Sequence, residues 1–172
     1  MKSQMALQPA VSPTVYRLLP NDPFLKEVKR IHAEIAKRAY ELSAASGFPR
    51  GHELEDWLKA EAELLVPVSV EVVEHRNEVT VKAHLPGFDH DDVEVYAQPD
   101  RLFLRASHQE EPVMREDGEY SRETSRVVFR AVGLPCEIDP DRAKASLVRG
   151  TIEIILLKVE AAKLVPTLVK AA

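Results

Sequence analysis

Four neighbouring residues at the predicted start of a helix carry the side chains in this chain that come closest to a metal site. They are His52, Glu53, Glu55 and Asp56, and imidazole and carboxylate groups are common zinc ligands. Their spacing does not reproduce His-Glu-x-x-His or a comparable ligand set. Acidic residues are also favoured at a helix start by the helix dipole alone. We therefore expect a solvated helix start here and no metal.

The other residue types used in catalysis are scattered along the sequence. Cys136 follows Pro135 and has no second cysteine in a C-x-x-C spacing. The sequence has no nucleophile elbow around a serine and no glycine-rich phosphate loop. The histidines form no local cluster and are His32, His52, His75, His84, His90 and His108. This distribution predicts neither an enzyme nor a bound cofactor.

The composition of the 172-residue chain is that of an ordinary globular protein, with 45% hydrophobic and 30% charged residues. Its net charge of −5 argues against nucleic acid as a partner, because nucleic-acid proteins usually carry a basic excess. No apolar run approaches the roughly 18 residues of a membrane span, and the N-terminus lacks the pattern of a secretory signal. With its single cysteine, Cys136, the sequence predicts a cytoplasmic protein.

The first 65 residues divide into an arm and two helices. Residues 1–20 contain three prolines and no sustained period, so we expect a flexible arm. Asp22 and Pro23 form a helix start signal, and Ser46-Gly47 closes that helix. A second helix is expected from about Glu53 to Leu65, which makes residues 21–65 a helical hairpin. The predicted apolar stripes are Phe24, Val28, Ile31, Ile35, Ala39 and Leu42 on the first helix, and Leu54, Trp57, Leu58, Glu61 and Leu65 on the second.

From Pro67 onward the hydrophobic period changes to two, which is typical of half-buried strands. Seven short strands separated by turn signals predict an antiparallel sandwich. At its end, Arg149-Gly150 separates two alternating runs, so we expect a tight hairpin in which Gly150 has a positive φ. The alternating residues are Val68, Val70, Val72, Val79, Val81, Ala83, Val93, Val95, Leu102, Leu104, Val127, Phe129, Ala131, Ala145, Leu147, Ile152, Ile154 and Leu156.

Several short motifs in this region resemble, in order, those of the α-crystallin domain of small heat-shock proteins. They are Ala83-His84-Leu85-Pro86-Gly87-Phe88, Arg101 to Ala106, Phe129-Arg130, Gly133-Leu134-Pro135 and the Gly150 hairpin. The resemblance covers residues 66–158 and implies a mainly β, immunoglobulin-like antiparallel sandwich that follows the helical hairpin. Residues 159–172 would form a C-terminal extension. The helices, around Trp57 and Ala60-Glu61, resemble a short bacterial domain of unknown function, which implies no activity.

The resemblance also implies a homodimer. The acidic segment from His108 to Tyr120 is read either as a solvated loop or as the extended loop that family members donate to a partner subunit; the second is favoured because the insertion is long. The donated strand would pair with the partner's edge around Val68–Val73. The implied dimer interface consists of Arg130, Val113, Met114, Tyr120, Val70 and Val72.

Assembly beyond the dimer would use a C-terminal aliphatic-x-aliphatic motif that inserts into a groove between the family's fourth and eighth strands. The nearest match is Val165-Pro166-Thr167, whose threonine departs from the aliphatic pattern and leaves large homo-oligomers open. The residues implied to line the groove are Val93, Val95, Ala145 and Leu147.

The function implied is that of a holdase, which binds unfolding client proteins without ATP and prevents their aggregation under stress. Such binding needs apolar surface that is covered at rest and exposed on demand. The candidate client-binding residues of the arm are Leu7, Val15, Tyr16, Leu18 and Leu19. The alternative is a co-chaperone sandwich that docks one specific partner and has no general holdase activity.

Overall fold

The computed structural model describes residues 12–121 and 124–159. Two helices, α1 and α2, precede most of the strands, and two short 3-10 turns lie at His90–Asp92 and Pro140–Arg142. The elements are β1 (Thr14–Arg17), α1 (Pro23–Ala45), α2 (Glu53–Leu64), β2 (Val70–Glu74), β3 (Glu78–His84), β4 (Val93–Gln98), β5 (Arg101–Glu110), β6 (Thr124–Gly133), β7 (Lys144–Val148) and β8 (Thr151–Leu157). Among the described residues, no helix is both long and apolar enough to cross a membrane.

The strands form two facing four-stranded sheets, with the orders β1-β4-β5-β6 and β2-β3-β8-β7. Every pairing is antiparallel except that of β1 with β4, which is parallel. The predicted fold class, a mainly β antiparallel sandwich with two N-terminal helices, is confirmed.

The main core lies between the two sheets, and the period-two pattern explains its composition. Alternate residues on each strand point to the opposite sheet. Neighbouring strands therefore place their inward side chains side by side in the core. The fully buried large side chains of this core are Leu85, Leu102, Leu104, Ile138, Ile152, Ile154, Leu156, Val79, Val81, Val95 and Val128. On β6 the inward residues are Val128 and Val132, so the sequence prediction chose the wrong face of this strand when it named Val127, Phe129 and Ala131.

The β7–β8 connection has the predicted tight turn. Arg149 and Gly150 both have positive φ, at 49° and 73°, which is the requirement of the two-residue hairpin turn that matches strand twist. Gly150 also accepts a hydrogen bond at its carbonyl from the Leu85 amide at 2.5 Å. The turn therefore links the end of β3 to the β7–β8 pair.

The start and end of α1 follow the predicted signals. The Asp22 carboxylate accepts a hydrogen bond from the Phe24 amide at 2.9 Å, and Pro23 occupies the first helical position. At the other end Gly47 has a φ of 80°, and the Phe48 amide donates to the Ser43 carbonyl at 2.8 Å. This left-handed closure is a common glycine-dependent helix end.

The predicted apolar stripe of α2 is wrong in part. Leu54 and Leu58 remain 71% and 55% exposed, whereas Ala60 is completely buried against Ile31 and Ile35 of α1. A small residue at the contact lets two helices approach closely, so the packed face is centred on Ala60. The leucines lie beside this face and point to solvent.

The arm prediction is corrected for residues 14–20. Thr14–Arg17 forms β1, and the Leu18 amide donates to the Ala97 carbonyl at 2.9 Å. The physical reason is that β1 pairs backbone groups of β4 that would otherwise form an open sheet edge. The first eleven residues of the predicted arm lie outside the described residues.

Candidate functional site

The connection between β5 and β6 forms a solvent-exposed hairpin end, residues 112–121, which we call the tip. The Val113 amide donates to Ser121 Oγ at 2.8 Å, and the Ser121 amide donates to the Val113 carbonyl at 2.9 Å. Met114 and Tyr120 form an antiparallel bridge between these residues and the turn. Val113, Met114 and Tyr120 are 68%, 63% and 69% exposed. The tip therefore displays apolar side chains in an extended, strand-like conformation.

The other predicted half of the dimer interface lies at the edge of the second sheet. β2 pairs on one side with β3, and no other described strand lies beyond it. Val70 is half-buried and Val72 is 38% exposed, on the face shared with Val81 and Ala83. No described pairing joins β2 to the tip within the chain. The two predicted partners in strand exchange are therefore separate surfaces.

Arg130, the remaining predicted interface residue, lies on β6 and pairs with α2 of its own chain. Its Nη1 atom lies 3.4 Å from Glu61 Oε1, with the two side chains 42% and 28% exposed. The Arg130 Nε atom is buried without a hydrogen-bond partner among the described residues. Glu61 is a contact of Arg130 that the sequence prediction did not identify. Glu61 is the one charged residue in the predicted apolar stripe of α2, and a charged residue in such a position indicates a partner of opposite charge.

The predicted groove is covered by β1. Val93 and Val95 of β4 are buried at 3% and 0% exposure, and Ala145 on β7 is 7% exposed. Val15 of β1 lies in register with Val95 and packs against the main core, as does half-buried Leu147. The predicted occupant, Val165-Pro166-Thr167, lies outside the described residues.

A signal in the sequence could have identified β1 as a groove strand. Pro13-Thr14-Val15 repeats the order proline, threonine, aliphatic residue that is found in Pro166-Thr167-Leu168. Pro13 is buried although it precedes the strand. Residues 13–15 and 166–168 thus share a short sequence motif.

The predicted client-binding residues of the arm have different environments. Tyr16 and Leu19 are 42% and 56% exposed, whereas Leu18 is only 5% exposed and Val15 is half-buried. Leu7 lies outside the described residues. Of the described four, Tyr16 and Leu19 therefore present the most apolar surface to solvent.

A cluster of aromatic side chains, which the sequence prediction did not identify, lies between α1 and the outer face of the first sheet. Tyr96, Phe103 and Phe129 come from three neighbouring strands, at positions that alternate with inward core residues. Phe24 of α1 stacks on Tyr96 with ring centroids 3.8 Å apart and an interplanar angle of 10°. It also meets the edge of Phe103 at 5.8 Å. We call Tyr96, Phe103 and Phe129 the aromatic face.

Three ion pairs lie near the contact between the helices and the first sheet. Arg105 of β5 contacts Glu27 of α1 at 3.1 Å and Glu94 of β4 at 3.0 Å. The pair of Arg130 with Glu61 connects β6 to α2. Partly exposed pairs of this kind contribute little net stability, so the aromatic contacts dominate the attachment of the helices.

Burial, followed by the charge of Glu94, raises the pKa of Tyr96 to about 12. Tyrosine in an unfolded chain titrates near pH 10, so the stability from Tyr96 is fully present below about pH 10 and is lost as the pH rises through about 12. We expect Tyr96→Phe, which cannot ionise, to lose less stability between about pH 9 and about pH 11 than the parent. Urea unfolding at both pH values measures this difference, and equal losses in the two proteins would contradict it.

Two histidines make local pairs with carboxylates, and only the first of these pairs belongs to the metal alternative of His52, Glu53, Glu55 and Asp56. His52 Nδ1 lies 3.0 Å from Glu55 Oε2 at the start of α2, and His108 Nδ1 lies 3.1 Å from Asp92 Oδ2. Within residues 12–121 and 124–159, no three His, Cys, Asp or Glu side chains come together in a group able to hold a metal ion.

Comparison with known proteins divides the chain near the end of α2. The sequence model of the Hsp20/alpha crystallin family matches residues 71–168, which is more than half of the chain. A family described as a protein of unknown function (DUF2934) matches residues 31–65. The small heat shock protein, chloroplastic, of Solanum lycopersicum is 28% identical over 93 residues, covering 54% of this chain and 39% of that protein. The chain therefore spans well under half of that relative's length.

Solved structures of similar chains come from a yeast and a bacterium. Heat shock protein 16.0 from Schizosaccharomyces pombe is 26% identical, with 55% of this chain and 89% of that chain covered and a TM-score of 0.47. A small heat-shock protein from Xylella fastidiosa is also 26% identical, with 55% and 88% covered and a TM-score of 0.44. In both cases the part covered is about half of the present chain.

Proposed function

This chain belongs to the Hsp20/alpha crystallin family, and from that membership we propose that it is a holdase, which binds unfolding proteins without ATP and prevents their aggregation. The family match over more than half of the chain is the observation that carries this proposal. It supports a chaperone role in general and a protein that does not act as an enzyme. The exposed apolar tip and the covered aromatic face supply surfaces of the kind that such binding needs.

The proposed activity is tested with the full chain and a thermally unfolding client such as citrate synthase. At equal stoichiometry and without nucleotide, we expect the protein to suppress the light scattering of the heated client. An unrelated protein of the same size serves as the control for crowding and surface adsorption. A module that docks one specific partner would leave the scattering unchanged, and that result would reject the holdase proposal.

We also propose that the protein forms homodimers by exchange of the tip. The tip offers a strand-like segment with three exposed apolar side chains, and β2 offers a sheet edge with exposed Val72 that no other described strand pairs with. A segment that adds to a sheet edge satisfies backbone groups on both partners. Because no pairing among the described residues joins the tip to β2 of the same chain, a second copy is the proposed partner. In this arrangement Arg130, held by Glu61, contributes to the dimer only if that ion pair rearranges.

Replacing Met114 and Tyr120 together by aspartate tests the exchange. Two carboxylates at the paired positions would be buried against the partner's apolar edge. We expect the dimer dissociation constant to rise by at least about tenfold, measured by light scattering over a dilution series. The control variant, Phe48→Asp with Leu54→Asp, changes similarly exposed apolar residues, one in the connection between α1 and α2 and one on α2, and is expected to leave the mass unchanged. A double tip variant that stays dimeric at all dilutions would reject the exchange.

Assembly beyond the dimer is proposed to use the C-terminal motif Val165-Pro166-Thr167. The groove it would enter, beside Val93, Val95, Ala145 and Leu147, already holds β1 of the same chain. The motif of a second copy would therefore have to displace β1 before it could bind. This requirement favours the dimer over larger oligomers at rest.

The cytoplasm is the proposed location. Cys136 is the single cysteine of the sequence and is a free, half-buried thiol, as expected in a reducing compartment. Unfolding proteins and a second copy of the chain are the proposed partners, and no cofactor is required by the proposed activity.

A further inference from the structure

The aromatic face is covered by a separate structural unit of the same chain. α1 and α2 share their own small core, in which Ile31, Ile35 and Ala60 are buried. From this unit Phe24 inserts among the three rings of the aromatic face, and Phe129 also borders the helical core. The hairpin therefore covers most of the face, while Tyr16 stacks on the free side of Tyr96 and Leu18 packs beside Phe103.

The contact between hairpin and sheet is incompletely packed. A cavity of about 520 Å³, open to solvent, lies between α1 and strands β5 and β6; its lining includes polar Glu34, Ser107 and Gln109 and apolar Ile31, Ile35 and Val127. The Nε atoms of Arg105 and Arg130, both at this contact, are buried without hydrogen-bond partners among the described residues. Across this opening the helices and the sheet make no contact, and unsatisfied buried donors are costly. Both features favour separation of the hairpin over opening of the sandwich core.

The connections of the hairpin also permit separation as a unit. Residues 19–22 join it to β1, and residues 65–69 join it to β2. The second connection is held to β6 by the Val66 amide, which donates to the Val127 carbonyl at 2.9 Å. The helical core and the sandwich core can therefore each stay intact while the helices move away from the sheet.

We propose that the aromatic face is a concealed binding surface for unfolding polypeptide and that the α1–α2 hairpin is its removable cover; this inference rests on the proposed holdase function and names its site. The present occupant indicates which segments fit. Phe24 supplies a ring that stacks on Tyr96, and Glu27 supplies a carboxylate to Arg105. The face accordingly selects segments in which an aromatic residue has acidic neighbours.

A reversible link between the hairpin and the sheet tests the proposal. In a Cys136→Ser background, Glu34→Cys on α1 and Gln109→Cys on β5 place two thiols on the lining of the same cavity. A short bifunctional cross-linker with a cleavable centre then holds the cover down. We expect the linked protein to require about tenfold more chain for half-suppression of citrate synthase aggregation, because the open state is no longer populated. Cleavage of the linker is expected to restore the unlinked value.

The matched control is a link within the cover. Arg38→Cys on α1 and Glu63→Cys on α2, which replace an ion pair between the two helices, are joined by the same reagent. This link leaves the hairpin able to leave the sheet, so we expect suppression equal to that of the unlinked protein. If both links reduce suppression equally, the effect is not specific to opening and the proposal fails.

A photoreactive benzoylphenylalanine in place of Phe103 locates the bound client. In the Glu34→Cys, Gln109→Cys protein we expect irradiation to attach citrate synthase when the linker is cleaved and not when it is intact. Two results would contradict the concealed surface: equal suppression by the linked and the cleaved protein, or equal attachment of citrate synthase with the linker intact and cleaved. Neither result would contradict the holdase function. Failure of the parent chain to suppress aggregation rejects the function itself, and the inference with it.

Discussion

Leu104→Ala is expected to lower the free energy of unfolding of the sandwich by about 2–5 kcal/mol, the range for a buried leucine that leaves a cavity. Leu104 is 1% exposed at the centre of β5, where it lies in register with Val95 on β4 and Arg130 on β6. β5 is paired on both sides, so its backbone cannot easily move to fill the space. Urea denaturation followed by circular dichroism measures the change.

Leu54→Ala on α2 removes the same atoms from a side chain that is 71% exposed. We expect this control to change the unfolding free energy by less than about 0.5 kcal/mol. An equal loss in the two variants would contradict the assignment of Leu104 to a tightly packed core. A changed dependence on urea in the Leu104 variant would indicate a change in the surface exposed on unfolding.

The sandwich could be predicted from the sequence because its signals are local. Inward and outward residues alternate along the strands: on β8, buried Ile152 and Ile154 alternate with half-buried neighbours. The turn at Gly150 is likewise determined by adjacent residues, since only a few residue types tolerate positive φ. The caps of α1 at Asp22 and Gly47 belong to the same class of signal. Local patterns of this kind do not depend on which distant segments meet.

The errors occurred where two distant segments compete for one surface. The residues around Val15 carry no local signal for its pairing with Val95, which lies about eighty residues later in the chain. On β6, apolar residues occupy both faces because one face meets the opposite sheet and the other meets the helices. Periodicity alone cannot assign the two faces in such a strand.

For the candidate site, too, the sequence predicted residues that lie in one segment but not contacts between distant elements. The exposed residues of the tip, Val113, Met114 and Tyr120, lie in one short segment, and the sequence indicates that segment directly. The partner of Arg130 is Glu61, on another element, so the residue was recognised while its contact was not. The aromatic face is assembled from three strands and one helix and has no contiguous motif. Its identification required the register of the strands.

Phe24→Ala is expected to weaken the attachment of the hairpin to the sheet by about 3–5 kcal/mol, which is the usual cost of removing a buried aromatic side chain. Phe24 is 5% exposed and contacts Tyr96, Phe103 and Phe129. Its loss removes the one ring that α1 inserts among the three rings of the sheet. Hydrogen exchange of α1 and binding of a fluorescent apolar dye to the exposed face both measure the effect.

Phe48→Ala is the control, because Phe48 is 54% exposed at the far end of the hairpin and contacts only Tyr40 among the described rings. We expect it to leave hydrogen exchange of α1 and dye binding nearly unchanged. In the Phe24 variant, by contrast, α1 should exchange faster while β3 and β8 keep their protection, because their core does not include Phe24. Loss of protection in both regions together would mean that hairpin and sandwich open as one cooperative unit. A removable cover must open while the sandwich remains folded, so that result would exclude the hairpin as a cover of the aromatic face.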